Sequence, residues 1–258
     1  MIQEERLVKI KQMLEKSNHI STRQIMRELG ISFDTARRDI VRLTETGQAI
    51  RVHGGIIAID KTGVPGFTLR RQIESPIKTK MAKLLVKYIH PKGLYFLGSS
   101  TTIAKLCEEI SGINTTIMTS SIDNTAILLK SELPEIELLG GKVNKENHFT
   151  YSMDSLEKIR NYRFNMAIVG ASLIKDGHIY VVNSEDAAIN QRAVSVARQV
   201  VLIAEKYKFS SSNTSPYRIM DCKDVDMLIS DVPLNEENKS YFRKDCIFKS
   251  AMNGDNND

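Results

Sequence analysis

The sequence predicts a two-domain chain: a small N-terminal helical unit closed by a hairpin, then a larger α/β domain with a mainly parallel sheet. Two observations carry this. Residues 1–59 hold three stretches with apolar residues at helical spacing and then a weakly alternating segment. Beyond residue 76, short apolar runs alternate with helical stretches, as strands joined by crossover helices do. A length of 258 residues suits a short domain plus one of ordinary size.

The composition, 41% hydrophobic and 26% charged, supplies a sizeable core and excludes wholesale disorder. The net charge of +5 is compatible with a polyanionic partner but is spread thinly: residues 1–59 carry 10 Lys/Arg against 7 Asp/Glu, so charge alone does not identify one. Cys107, Cys222 and Cys246 are far apart and form no CxxC pair, which argues against a disulfide framework and a zinc site and fits a reducing cytoplasm. The charged opening MIQEERLVKIK and the lack of any run near the roughly 18 apolar residues of a bilayer span exclude a secreted or membrane-embedded reading.

Leu7, Ile10 and Leu14 recur at helical spacing in a first helix over Ile2–Ser17. Ser21-Thr-Arg-Gln24 is a capping-box pattern that opens a second helix, and Gly30 suits the left-handed residue that ends it. Ser32 is a preferred N-cap, and Ala36, Ile40 and Leu43 form the stripe of a third helix up to Gly47. The segment from Gln48 through His53, Gly54 and Gly55 to Ala58 reads as a hairpin or wing. Residues 1–59 therefore make a winged helix-turn-helix unit, with the helix-turn-helix at about 20–39. Gly63, Pro65 and Gly66 mark 60–75 as a linker.

In the second domain, helices are expected near 77–89, 101–110, 122–131, 154–161 and 185–198. Strands are expected at Leu94–Leu97, Thr115–Met118, Ile136–Leu139, Phe164–Val169 and Val200–Ala204. This domain is set at 76–235, with 236–258 as a C-terminal extension whose end, from Asn253, frays.

With Ala36, Ile40 and Leu43 turned inward, Asp34, Thr35, Arg38 and Arg42 face outward and Arg37 lies at the edge. A major groove admits one α-helix, and Arg and Thr can bond base edges or phosphates. Two adjacent arginines alone are an ordinary solvated face; a capped helix, a tight turn, a cationic second helix and a hairpin in that order are a DNA reader. Arg37 and Arg38 are the leading contacts, with Ser32, Asp34, Thr35 and Arg42 on the same helix and Arg51 and His53 on the wing.

The stretch LGISFDTARRDIVRLTETGQAIRVHGG resembles the signature of the DeoR family of bacterial regulators, VSxxTIRRDLxxLexxGxxxRxHGG. The match runs through Ser32, Thr35, Arg37, Arg38, Asp39, Leu43, Gly47, Arg51, His53, Gly54 and Gly55 and departs at Ala36, where a larger aliphatic is usual. Asp39, acidic beside a phosphate backbone, is read as the partner of an arginine. The resemblance continues more weakly over residues 67–235. It implies a sugar-phosphate-binding domain similar in fold to ribose-phosphate isomerases and CoA-transferase-like proteins.

Features that match include Phe67, Arg70, Thr101-Thr102, Leu138-Leu139-Gly140-Gly141, Glu185 and Lys208-Phe209. Gly98-Ser99-Ser100-Thr101-Thr102 puts hydroxyls and amides at a helix N-terminus, which suits a phosphate or is only a hydroxyl-rich cap. Gly140 and Gly141 let a ligand approach or merely turn the chain, and Lys208 neutralises a phosphate or is a surface charge. Ser120 and Glu185 complete the expected effector set.

The departures concern the sugar half. Leu97 and Ser99 replace the Asp and Gly of Asp-x-Gly-Thr-Thr, Ser120 the Asn of Thr-Asn-Ser, and Asn190 a lysine; Asn165 and Ser172 stand where acids are common. Leucine cannot bond sugar hydroxyls.

The resemblance implies a sequence-specific repressor of carbohydrate-metabolism genes, relieved by a phosphorylated sugar. Such a protein acts without cofactor, metal or membrane, on double-stranded operator DNA, as a homo-oligomer, dimer or tetramer. The alternative is a sugar-phosphate isomerase-like enzyme with a DNA-binding appendage. It is disfavoured because Leu97 and Ser120 remove polar candidates for a catalytic base.

Overall fold

A computed structural model of the chain describes residues 2–17, 19–45, 48–52, 54–58, 76–210 and 214–252. One compact unit lies before Pro76 and a second begins there. The expected linker 60–75, Gly47, His53, Phe67, Arg70 and the tail from Asn253 lie outside the described residues.

In the first unit, α1 (Gln3–Ser17), α2 (Thr22–Leu29) and α3 (Phe33–Glu45) pack on a small antiparallel sheet of β1 (His19–Ser21), β2 (Ala49–Val52) and β3 (Gly55–Ala58) in the order β1-β3-β2. The capping box forms: Ser21 Oγ accepts from the Gln24 amide at 3.1 Å, and Gln24 Oε1 accepts from the Ser21 amide at 2.9 Å. Gly30 ends α2 at φ 62°, a left-handed conformation that glycine adopts without strain. Only three residues then separate α2 from α3, and α3 runs to Glu45, close to the expected end before Gly47, with Ala36, Ile40 and Leu43 as its buried stripe. Ile10, Leu14, Ile20, Ile25, Ala36 and Leu43 meet in one core.

The second unit is built on a seven-stranded, all-parallel sheet. Its strands are β4 (Leu94–Leu97), β5 (Thr116–Thr119), β6 (Glu135–Leu138), β9 (Met166–Gly170), β12 (Val200–Ile203), β14 (Met227–Ser230) and β15 (Ile247–Ser250), in the order β15-β14-β12-β9-β4-β5-β6. A hairpin, β7 (Lys142–Asn144) and β8 (Phe149–Tyr151), and a second antiparallel sheet, β10 (Leu173–Lys175), β11 (His178–Val181) and β13 (Tyr217–Asp221), complete the strands.

Phe96, Met118, Val169, Leu202 and Leu228 lie on one face of the parallel sheet. They pack against α7 (Met153–Arg160), α8 (Ser184–Ser195) and the β10-β11-β13 sheet. Alternate residues Leu97, Ile117, Ile168, Val201 and Ile229 are buried on the other face, where α4 (Pro76–Val86), α5 (Thr101–Glu109) and α6 (Ile122–Leu128) pack together.

Residues 236–250, read from sequence as an extension, are corrected here. They bring a short helix α9 (Glu236–Lys239) and β15, which pairs in parallel with β14 from Met227↔Ile247 to Ser230↔Ser250 and so belongs to the main sheet. Ile247–Ser250 alternates exposed and half-buried residues, as an edge strand does, and carries no long apolar run to announce it.

Strand order reverses between β4 and β9. From β4 the chain proceeds outward through β5 and β6, then returns to β4's other side for β9, β12, β14 and β15. In open parallel sheets, ligands bind outside the strands' carboxyl ends at such a switch point.

Candidate nucleic-acid interface and effector site

The exposed side of α3 carries Asp34, Arg37, Arg38 and Arg42, and Ser32 precedes it, also exposed. Ser32 Oγ accepts from the Thr35 amide at 3.3 Å and lies 2.9 Å from Thr35 Oγ1, so the N-cap is formed and Thr35 is committed in part to it. Arg37 and Arg38 make no ion pair among the described residues, which leaves two guanidinium groups in solvent on one helix face. Arg51 is exposed on β2.

Asp39 does not pair with an arginine of its own helix. It is 0% exposed and accepts from Arg6 Nε at 2.6 Å, Arg6 Nη2 at 3.0 Å and Gln3 Nε2 at 3.2 Å, both residues on α1. The bond to Asp39 is the leading cause that raises the Arg6 pKa above its ordinary value. The pair therefore locks α1 to the reading helix and keeps the Asp39 charge away from the exposed cationic face.

At the switch point, β4 ends in Gly98-Ser99-Ser100, and Ser100 caps α5 by accepting from the Thr102 amide at 3.2 Å. The end of β9 lies close against it: a Cβ on Gly170 would stand 3.1 Å from Ser100 Oγ. Ser99 Oγ donates to the Asn147 carbonyl at 3.3 Å, which ties the phosphate-loop candidate to the β7–β8 turn. That hairpin is anchored in turn over the end of β5, where the Thr150 amide donates to the Ser120 carbonyl at 2.9 Å. His148 on the same turn lies 2.6 Å from Asp123 Oδ2 through its Nδ1.

Four buried polar atoms at this end of the sheet have no hydrogen-bond partner: Ser120 Oγ, Asn124 Oδ1, Asn190 Oδ1 and Glu205 Oε1. The two amides cannot be turned over to cure this. Asn124 Nδ2 donates to the Gly98 carbonyl at 3.1 Å and Thr119 Oγ1 at 3.2 Å, and Asn190 Nδ2 to the Asp186 carbonyl at 2.8 Å and Asp186 Oδ1 at 3.0 Å. Asn190 Oδ1 reaches to 2.9 Å of where a Cβ on Gly98 would be. Glu205 Oε1 has Lys78 Nζ at 3.9 Å, beyond hydrogen-bonding reach. An unsatisfied buried acceptor costs about 1–3 kcal/mol, so each of these atoms calls for a donor.

The effector residues named from sequence divide unevenly over this site. Ser99, Ser100, Thr101, Thr102 and Ser120 gather at it, and Lys208, on the 3-10 turn Lys206–Phe209 after β12, is only 9% exposed rather than a surface charge. Gly140 and Gly141 do other work. Gly141 takes φ +128° with the Tyr151 carbonyl where a side chain would be, and the Gly140 carbonyl accepts from Ser155 Oγ at 2.8 Å. On α8 it is Asp186, one residue past Glu185, that bonds Asn190, while Glu185 Oε2 accepts from Ser184 Oγ at 3.1 Å.

Asn124 and Glu205 escaped the sequence reading. Their one signal is position, as polar residues just beyond an apolar strand at the carboxyl end of a parallel sheet. Asn165, a departure from the expected acid, accepts from the Leu94 amide at 2.9 Å and is structural. Among the described residues, no group of three or more His, Cys, Asp or Glu could hold a metal ion, and no helix is long and apolar enough to cross a membrane.

Comparison with known proteins agrees with this layout. Residues 6–62 match the DeoR-like helix-turn-helix domain and residues 74–232 the DeoR C terminal sensor domain. The chain is 34% identical to the HTH-type transcriptional repressor GlcR of Bacillus subtilis, over 90% of this chain and 89% of that one. It is 26% identical to a putative aga operon transcriptional repressor of Escherichia coli O157:H7, over 93% and 90%. Among solved structures, a D-ribose-5-phosphate isomerase in complex with phospho-erythronic acid is 14% identical, with a TM-score of 0.39 over 52% of this chain and 53% of that one. A DNA-reading head and a sensor domain, matched together across most of the chain, make this protein a member of the DeoR family of transcriptional regulators.

Proposed function

We propose that this protein is a repressor whose α3 enters the operator's major groove and whose second domain releases the DNA when it binds a phosphorylated polyhydroxy compound. The observation that supports the effector half is the set of buried acceptors without a hydrogen-bond partner, Ser120 Oγ, Asn124 Oδ1, Asn190 Oδ1 and Glu205 Oε1, beyond the carboxyl ends of the parallel strands. A phosphate offers acceptors, which suit the amides of the Ser99–Thr102 turn and the charge of Lys208; hydroxyls offer donors, which suit the four oxygens. The loss of the family's aspartate at Leu97 is thereby offset by acceptors from other elements. Arg37 and Arg38 supply base-edge and phosphate contacts, Arg42 and Arg51 flank them, and a symmetric oligomer doubles the bases read. Ligand acts by binding the DNA-incompetent state more tightly.

The test is a titration of the purified protein onto DNA from upstream of its own and neighbouring genes, with unrelated DNA as control, at fixed salt and with a panel of phosphorylated sugars. Tight binding to one fragment, weakened by one compound, is expected, and Asn190→Leu should abolish the response while sparing DNA affinity. Operator binding indifferent to the whole panel refutes the effector half; no preference among fragments refutes the regulatory reading.

A further inference from the structure

We propose that Phe33 reads a thymine methyl group in the operator, which makes it a residue that sets DNA specificity. The inference rests on α3 being the reading helix. Phe33 is the first residue of α3 and is 54% exposed, the only exposed phenylalanine among the described residues. The other apolar residues of the helix behave in the opposite way: Ala36, Ile40 and Leu43 are all buried in the core of the unit.

No local need explains an aromatic there. The cap is supplied by Ser32, and an N-terminal first turn favours acidic or small polar residues, as the neighbouring Asp34 illustrates. Nor does Phe33 belong to that core or to the partly buried residues packed against it.

Its position says what. At 3.6 residues per turn, Phe33 lies about 40° from Arg37 and about 100° from Asp34, on the flank between the buried stripe and the cationic face, and its place in the first turn carries it past the end of the core. In a helix-turn-helix, the N-terminal residues of the second helix are those that approach base edges. The edges exposed in the major groove offer hydrogen-bond donors and acceptors with a single exception, the C5-methyl group of thymine. Phe33 can neither donate nor accept, so among base-edge groups only that methyl matches it. Arg37, one turn further on, and Arg38 hold the helix in place through phosphates or guanine.

The experiment uses the full-length protein and the operator fragment selected by wild-type binding. Each thymine of the half-site is replaced singly by uracil, which removes the methyl group and leaves the hydrogen-bonding edge intact, and affinity is measured at fixed salt for wild type, F33A, F33L and R38A. For wild type, one thymine per half-site should be sensitive, with a loss of about 4-fold for each half-site so changed, the equivalent of one buried methyl group. F33A should bind the thymine operator more weakly and lose that sensitivity, F33L should fall between, and R38A should bind weakly yet stay sensitive to uracil.

The proposal is overturned if F33A binds like wild type, or if F33A loses affinity but keeps the uracil response, which would assign Phe33 to a contact with another part of the protein or a second copy. Failure of wild type to select any fragment would instead sink the DNA-reading assignment itself, and is distinguishable because R38A would then change nothing.

Discussion

Replacement of Arg6 by alanine tests how the reading helix is held. Asp39 is fully buried and accepts three bonds, two of them from Arg6 at 2.6 and 3.0 Å. Removal of one partner from a buried ion pair costs about 3–5 kcal/mol, because the remaining charge stays desolvated. Arg6 itself is 14% exposed and Gln3 keeps one bond to the carboxylate, so the lower end, about 3 kcal/mol, applies. A helical unit of this size is stable by only about 3–9 kcal/mol, so the loss is a large fraction of the whole.

Hydrogen exchange of the full-length protein reports it locally. Amides of Ala36–Leu43 should open on the order of 100-fold more often in R6A, since tenfold corresponds to about 1.4 kcal/mol, while amides of β4 and β9 stay unchanged. R6M/D39L, which removes both charges and fills the space with apolar atoms, should recover most of the protection. Less than a 5-fold change on α3 in R6A, or a double variant no better protected than R6A, would refute the clamp.

Ser21→Ala removes half of a formed capping box and should cost about 1 kcal/mol, read as a lower denaturation midpoint for the first unit. Gly141→Ala forces a β-carbon toward the Tyr151 carbonyl at φ +128° and should destabilise the second unit by more than about 1 kcal/mol, with no direct effect on effector selectivity. The three cysteines are buried thiols. Burial pushes Cys222 up to about 12 and Cys246 up to about 11, and raises Cys107 further. The folded state thus holds protons that the unfolded chain gives up near its ordinary value of 9.0. The thiols' contribution to stability should be fully present below about pH 9 and be lost as pH rises from there through the folded values, and a thiol reagent should label the native protein far more slowly than the denatured one.

The first unit was legible because its signals are local. Ser21, Gln24, Gly30 and Ser32 act within one turn of themselves, and Ile10, Ala36, Ile40 and Leu43 follow a period long enough to count. The partner of Asp39 was not legible: an arginine was expected, but only the packing of α1 against α3 selects Arg6. In the second unit five of the seven parallel strands were readable and β14 and β15 were not, while β7, β8 and β10 have three residues each and no period to detect.

The candidate effector site shows the same division. The hydroxyl run at Ser99–Thr102 announces itself, but Asn124 and Asn190 sit on helices where a polar residue ordinarily faces solvent. Asp186 was passed over for Glu185 because a turn of about 100° between neighbours decides which one bonds Asn190. Periodicity cannot find an acceptor whose importance lies in having no partner.

The parallel sheet also sets an order of assembly. β4, the first strand of the sheet in the chain, bonds β5 soon after it is made, but its other edge stays open until Met166–Gly170 has been synthesised, and the sheet is complete only with Ile247–Ser250. Among the described residues, the buried core of the first unit and the side chains packed against it lie within residues 7–58. On the ribosome, therefore, the reading head can fold while its sensor is still an open sheet with bare strand edges, and the nascent chain passes through a stage at which it could grip DNA before it could answer to any effector.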